Sequence, residues 1–263
     1  MNKQICRHLC INLNEDIKYF IQLQIISEHK KIIENLLKEL LLLNTEITEE
    51  ELKRRIKYNA NGTIKNLNLS NFEHRLKKLP SNLKNITITN NLNLSDNEIT
   101  ELPEEFYKIN IGGDLNLSNN EIFKLSENFP KIRVGGSLNL SRNKIKELPY
   151  NFGEFNHING NLDISRNLLR LLPVSFGNLI IEGNLNLSKN NIRELTESFG
   201  DLNIKGNLSL VDNSLSEIPK SFINITVHGE FNICFNVLHY NTPCNTLRNI
   251  ILFKEWLKSY YSI

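Results

Sequence analysis

Arg142, Arg166 and Lys189 occupy the same place in three successive copies of a repeated segment, and Lys146, Arg170 and Arg193 recur four residues after them. Lys144 falls between the two rows. Leu168 and Leu171 stand beside them, where other copies mostly carry polar residues. Guanidinium and ammonium groups donate hydrogen bonds and accept none, so such a cluster is suited to hold carboxylates. Arginine beside apolar anchors is also the composition found at the buried centre of protein interfaces. Catalysis has no comparable support. There is no Gly-rich phosphate loop, no HExxH and no GxSxG. His8, His29, His74, His157, His228 and His239 do not recur with a carboxylate and a nucleophile. Cys6, Cys10, Cys234 and Cys244 form no CxxC pair and read as reduced thiols inside a cell. Zinc on Cys234, Cys244 and His239 lacks a fourth ligand, so no metal or other cofactor is expected.

What positions these residues is a repeat. The motif LxLS starts at Leu67, Leu92, Leu115, Leu138, Leu162, Leu185, Leu208 and, with Phe in the first place, at Phe231. The spacings are 25, 23, 23, 24, 23, 23 and 23 residues, a period that signals a solenoid. The unit reads LxLSxNxIxxLPxxFxxIxIxGx. Leucines at positions one and three alternate with polar residues, as a half-buried strand requires. Asn at position six (Asn97, Asn120, Asn143, Asn167, Asn190, Asn213, Asn236) offers an amide to the backbone of the neighbouring coil. The apolar residues at positions eight, eleven and fifteen, such as Ile145, Leu148 and Phe152, fill the interior. Pro at position twelve interrupts regular hydrogen bonding on the outer side. Gly near position twenty-two reads as the residue of a tight bend. The first copy has two extra residues and no Asn at position six, so an irregular first coil is expected, with Pro80 as the shifted position twelve.

The pattern LxLSxNxIxxLP resembles the leucine-rich repeat over residues 67 to about 238, and LPVSFGNL is similar to the 23-residue class with LPxxFGxL on the convex side. The resemblance implies an α/β fold: a right-handed solenoid with a parallel sheet on its concave side, most often the side that binds a protein. One departure is visible. After the LPxxFGxL segment the apolar spacing slips to IxIxGxLxL, which predicts a bulge or a longer strand there. The abundance of Ile, Asn and Lys and the style of the repeat are similar to repeat families of large DNA viruses and of bacterial effectors. That likeness implies a host cytoplasm. Some such effectors carry a ligase domain with a catalytic cysteine after the repeats, but the 25 residues beyond position 238 are too few for one.

The chain divides into a helical N-terminal cap region (1–62), the repeats (63–238, seven to eight coils) and a C-terminal capping helix (239–263). Helical spacing links Ile17, Phe20, Ile21, Ile25, Ile32, Ile33, Leu36, Leu37 and Leu40. Thr48 with Glu51 forms a capping box opening a short helix that contains Leu52 and Ile56. The stretch from Asn59 to Thr63 is a turn. A helix from about Thr246 brings Leu247, Ile250, Ile251, Phe253, Trp256 and Leu257 over the last coil.

Function must lie where the repeat varies. Positions two, four, five, seven and nine read as outward. Position two is almost always Asn, which fits either a repeating ligand or side-chain hydrogen bonding along the stack. Positions five and nine turn basic in the same three coils. Arg142, Lys144, Lys146, Arg166, Arg170, Lys189 and Arg193, with Leu168 and Leu171, then form either a site for an acidic protein surface or a solvated face neutralised by Glu147 and Glu194. The net charge of +2 argues against nucleic acid as the main partner. No run approaches the roughly 18 apolar residues of a membrane span, and there is no secretory h-region. No small-molecule substrate is implied. The expected class is a non-enzymatic, cytoplasmic interaction solenoid that binds a protein partner on its concave face. An adaptor recruiting a ligase or host complex through residues 13–58, and a spacer without a specific partner, are the other readings.

Overall fold

The computed structural model describes residues 15–43, 46–155, 157–238 and 249–262. Eight short strands, from Ile64–Asn68 through Leu92–Asn93 to Phe231–Asn232, stack in parallel, one per coil. Their register is fixed leucine on leucine: Leu138, Leu162, Leu185 and Leu208 face one another along the stack. Both leucines of each strand are buried, Leu162 and Ile164 among them. A slip by one residue would expose that whole set, so the apolar pattern opposes any other register.

The departure IxIxGxLxL is not a bulge. Each of the first seven coils makes a second two-residue strand, such as Asn110–Ile111 or Ile180–Ile181, separated by a bend from the first. These form their own parallel ladders, one through Ile64, Ile88, Ile111 and Val134 and one through Ile158, Ile181, Ile204 and Val227. The break falls at the 24-residue coil. The outer side is 3-10 helical, as in Val174–Asn178, with Pro80, Pro103, Pro173 and Pro219 in the cap position. Inside it Phe152, Phe176, Phe199 and Phe222 stack near-parallel, their centroids 5.8, 6.3 and 6.0 Å apart.

The position-six asparagines do what their spacing implies. Asn143 Nδ2 donates to Leu117 O of the preceding coil at 2.9 Å and to Leu140 O of its own at 3.1 Å, while its Oδ1 accepts from Ile122 N of the preceding coil at 3.0 Å. The same set recurs at Asn120, Asn167 and Asn190. The glycines differ from expectation. Gly183 has no positive φ. A Cβ there would lie 2.4 Å from Asn161 Oδ1 of the coil before, so close approach and not a bend demands glycine. That Oδ1 accepts from Asn184 N at 2.7 Å, and Asn184 repeats the contact to Asn207 N at 2.7 Å, a second ladder beside the first.

Both ends are closed. Helix α1 (Glu15–Leu43) buries Ile33, Leu36, Leu37 and Leu40, but Phe20, Ile21 and Ile25 are exposed, so only its later half caps the solenoid. The side chain of Ile17 lies outside the described residues. Helix α2 (Glu49–Arg54) opens as read, with Thr48 Oγ1 accepting from Glu51 N. Ile56 is not in it. It begins a strand, Ile56–Tyr58, that pairs antiparallel with Ile64–Asn68 and covers the first sheet edge. The turn Asn59 to Thr63 joins the two. In this first coil Phe72 takes the place of the asparagine, with the Arg55 guanidinium 4.0 Å over its ring. At the far end helix α3 (Ile250–Tyr261) seats Phe253 against Phe231 and Phe222, and buries Ile250 and Leu257. Ile251 is 65% exposed, because the buried residues fall at i, i+3 and i+7 and put it on the other side. Leu247 and Thr246 lie outside the described residues, as do Cys6, Cys10, Cys244, His8 and His239. No described helix is long and apolar enough to cross a membrane.

Replacing Asn143 by Ala leaves a buried amide N–H and two carbonyls of adjacent coils short of partners, and should lower unfolding stability by about 2–4 kcal/mol. A urea midpoint shift equivalent to less than ~1 kcal/mol would show that the coils hold together without this bond.

Candidate functional site

Position five is left-handed in every described coil. Its φ is 50° at Asn71, 58° at Asp96, 55° at Asn119, 54° at Arg142, 56° at Arg166, 56° at Lys189, 59° at Asp212 and 58° at Phe235. The reason is local. The chain must leave the strand after position four while the position-five amide still reaches the next coil, as Arg142 N does to Ser165 O and Arg166 N to Ser188 O, both at 2.9 Å. Asn and Asp tolerate this conformation. For other L-residues it costs roughly 1–2 kcal/mol each. Asn71, Asp96, Asn119 and Asp212 follow that preference, and Arg142, Arg166, Lys189 and, in the last coil, Phe235 break it.

Register turns these residues into columns. Arg142, Arg166 and Lys189 follow one another on consecutive coils, as do Lys144, Leu168 and Asn191, and Lys146, Arg170 and Arg193. All seven cations are exposed, Leu168 is 40% exposed and Leu171 51%. Lys146, Leu168, Arg170 and Leu171 line one open depression of ≈ 490 Å³, completed by Glu147 and Asn191. A second of ≈ 390 Å³ adjoins it and shares Glu147 and Leu171. Its wall includes Tyr150, 74% exposed, a residue the sequence reading passed over although an aromatic there is unmatched in the other coils. The larger hollow of ≈ 740 Å³ lies between α1 and the N-terminal hairpin, at the margin of the cap's own apolar core, and holds none of these residues.

The charges are mostly unpaired. Lys144 meets Glu121 of the preceding coil. Among the described residues no ion pair reaches Arg142, Lys146, Arg166, Arg170, Lys189 or Arg193, so Glu147 and Glu194 do not neutralise the rows. Earlier in the column the pattern is different. Asn119 Nδ2 donates to Asp96 Oδ1 at 2.7 Å, and that bond, then one from Ser95, with the more distant positive charges of Arg75 and Arg142, holds the Asp96 carboxyl below its usual range. From Arg142 onward the column changes from hydrogen-bonded to repulsive, about 1 kcal/mol or less per neighbouring pair in water.

Two outward assignments change. Position four is not a surface position: Ser95, Ser141 and Ser165 are buried. Position two is only partly exposed, and its side-chain oxygen accepts from the backbone two residues on, as in Asn93 with Ser95 N at 3.0 Å and Asn186 with Ser188 N at 3.1 Å. These are turns inside one coil. They account for the asparagine without a ligand and without bonding along the stack.

Two in-register strands per coil, the bridging asparagines and the 3-10 outer side define a leucine-rich-repeat solenoid. No protein-family model matches the chain, and no curated protein does. Among solved structures it is similar to a leucine-rich-repeat protein of Leptospira interrogans, 24% identical over 71% of this chain with a TM-score of 0.48. It is also similar to a chain of the Drosophila Toll–Spatzle complex (22% identity, 71% of this chain, TM-score 0.48) and to YopM, a leucine-rich effector protein from Yersinia pestis (15%, 82%, 0.38). The matched parts are 53%, 28% and 77% of those chains, so this chain spans about half of the Leptospira protein.

Arg166→Asn should relieve the left-handed strain and part of the repulsion, raising unfolding stability by about 0.5–1 kcal/mol. Chemical denaturation that shows a loss instead would mean the arginine serves the fold.

Proposed function

We propose that the solenoid is a non-enzymatic binding scaffold whose protein partner presents an acidic surface to Arg142, Arg166, Lys189, Lys146, Arg170 and Arg193, with Leu168 and Leu171 as the apolar centre. One observation carries this reading. Three consecutive coils place unpaired cations at left-handed positions where Asn or Asp would be less strained and less repulsive. Strain of this kind, with no structural return, gathers at functional sites. Arginine and apolar anchors on segments held in register by the stacked strands are fit for recognition, and unpaired cations speed encounter with an acidic partner. The reduced-thiol reading of the cysteines favours the cytoplasm as the place of action.

A second reading has its own observation. Helix α1 exposes Tyr19, Phe20 and Leu23 at 66%, 68% and 47%, which suits recruitment of another component through the N-terminal helices.

Affinity capture should compare the wild-type chain with Arg142→Glu/Arg166→Glu/Lys189→Glu, both shown folded by circular dichroism. A partner lost only by the variant is the expected result. Partners retained by it, but lost on Tyr19→Ser/Phe20→Ser/Leu23→Ser, would move the site to α1. No partner for either chain would leave a spacer.

A further inference from the structure

Resting on that reading of the basic site, we infer that the element it takes is an amphipathic α-helix, its apolar stripe flanked on both sides by carboxylates, lying along the solenoid axis across the coils. The dimensions select it. Positions five and nine are four residues apart, so the two basic columns stand at most ~13–14 Å from each other, close to the 10–12 Å width of a helix with its side chains. Between the columns runs position seven, Lys144, Leu168 and Asn191, with Leu168 at its middle; Leu171, at position ten beyond the second column, lines the same depression. An exposed leucine set between two rows of cations is the complement of an apolar stripe between two rows of acids.

The pitch also fits. Successive coils repeat at about 4.8 Å. Residues three and four apart on a helix rise ~4.5 and ~6.0 Å, a mean near 5.2 Å, so glutamates at i, i+3 or i+4 and i+7 stay opposite Arg142, Arg166 and Lys189 over all three coils. An extended acidic strand presents same-face residues every ~6.6–6.8 Å and drifts by ~2 Å per coil. By the third coil it is out of step by most of one spacing. A helix laid in a groove and read by regularly spaced anchors is an established mode of recognition, and here the anchors are the charge columns. In the position-five column Asp212 follows Lys189, and Asn119 and then Asp96 precede Arg142. The cations therefore span three coils, about two turns of helix.

The test uses two synthetic 18-residue peptides of identical composition in Leu, Glu, Gln and Ala, added to the full chain and followed by fluorescence anisotropy. One places Leu at helical spacing with Glu on both flanks; the other alternates Leu and Glu. The helix-patterned peptide should bind at least tenfold tighter, and Leu168→Asp should erase that difference. Equal affinities, or tighter binding of the alternating peptide, overturn the helical occupant. If both then weaken together in Arg142→Glu/Arg166→Glu/Lys189→Glu, the acidic-surface reading stands without it. Binding of neither peptide above that charge-reversed chain overturns the acidic-surface reading and this inference with it.

Discussion

Each coil is tied to the one before it by the amide of one buried asparagine. The bond is short-range, but the architecture rests on it. A side chain that donates to the carbonyls of two coils and accepts from an N–H of the preceding coil beyond its strand fixes spacing, register and the point at which the chain leaves the sheet. Buried polar groups of this kind are costly unless fully satisfied, and here both ends of the amide are used, as at Asn143 and Asn167. Once coils are locked at one register, every other repeat position becomes a column. The phenylalanine stack, the glycine–asparagine contacts and the basic rows all follow from that.

The same exit from the strand sets the backbone at position five. The left-handed turn before each asparagine is a consequence of the ladder, not a choice made by the residue that occupies it. This is why residue identity there is informative. Where the column carries Asn or Asp, sequence and backbone agree. Where it carries Arg142, Arg166, Lys189 and, in the last coil, Phe235, they conflict, and natural sequences concentrate such conflicts at sites under another demand. The exposed leucines beside the conflict, and the lack of counter-charges on six cations among the described residues, point to the same small area from independent directions.

Much of this was legible in the residues. The period, the interior positions, the asparagine bridge and the capping box need only spacing and chemistry. The two-strand coil was not, because two residues of Ile-x-Ile are too short to distinguish from a bulge. Burial of the position-four serines was hidden by their polarity; the small hydroxyl fits beneath the turn and bonds the asparagine two residues before it, as Ser141 Oγ does with Asn139. Glycine was assigned to bending, whereas the neighbour's Oδ1 occupies the space of its Cβ, a contact between residues more than twenty apart. The antiparallel strand at Ile56 followed a helix signal and was absorbed into it. For the site, residue types and columns were visible, but the left-handed φ was not, since only the ladder imposes it.

The central claim is that the cations at position five serve binding at the expense of the fold. It is tested most directly by making Arg142→Asn/Arg166→Asn/Lys189→Asn and measuring, on one preparation, the urea midpoint and the affinity for an acidic amphipathic peptide. Opposite signs are expected: a higher midpoint and an affinity at least tenfold weaker. A lower midpoint, or an unchanged affinity, would contradict it.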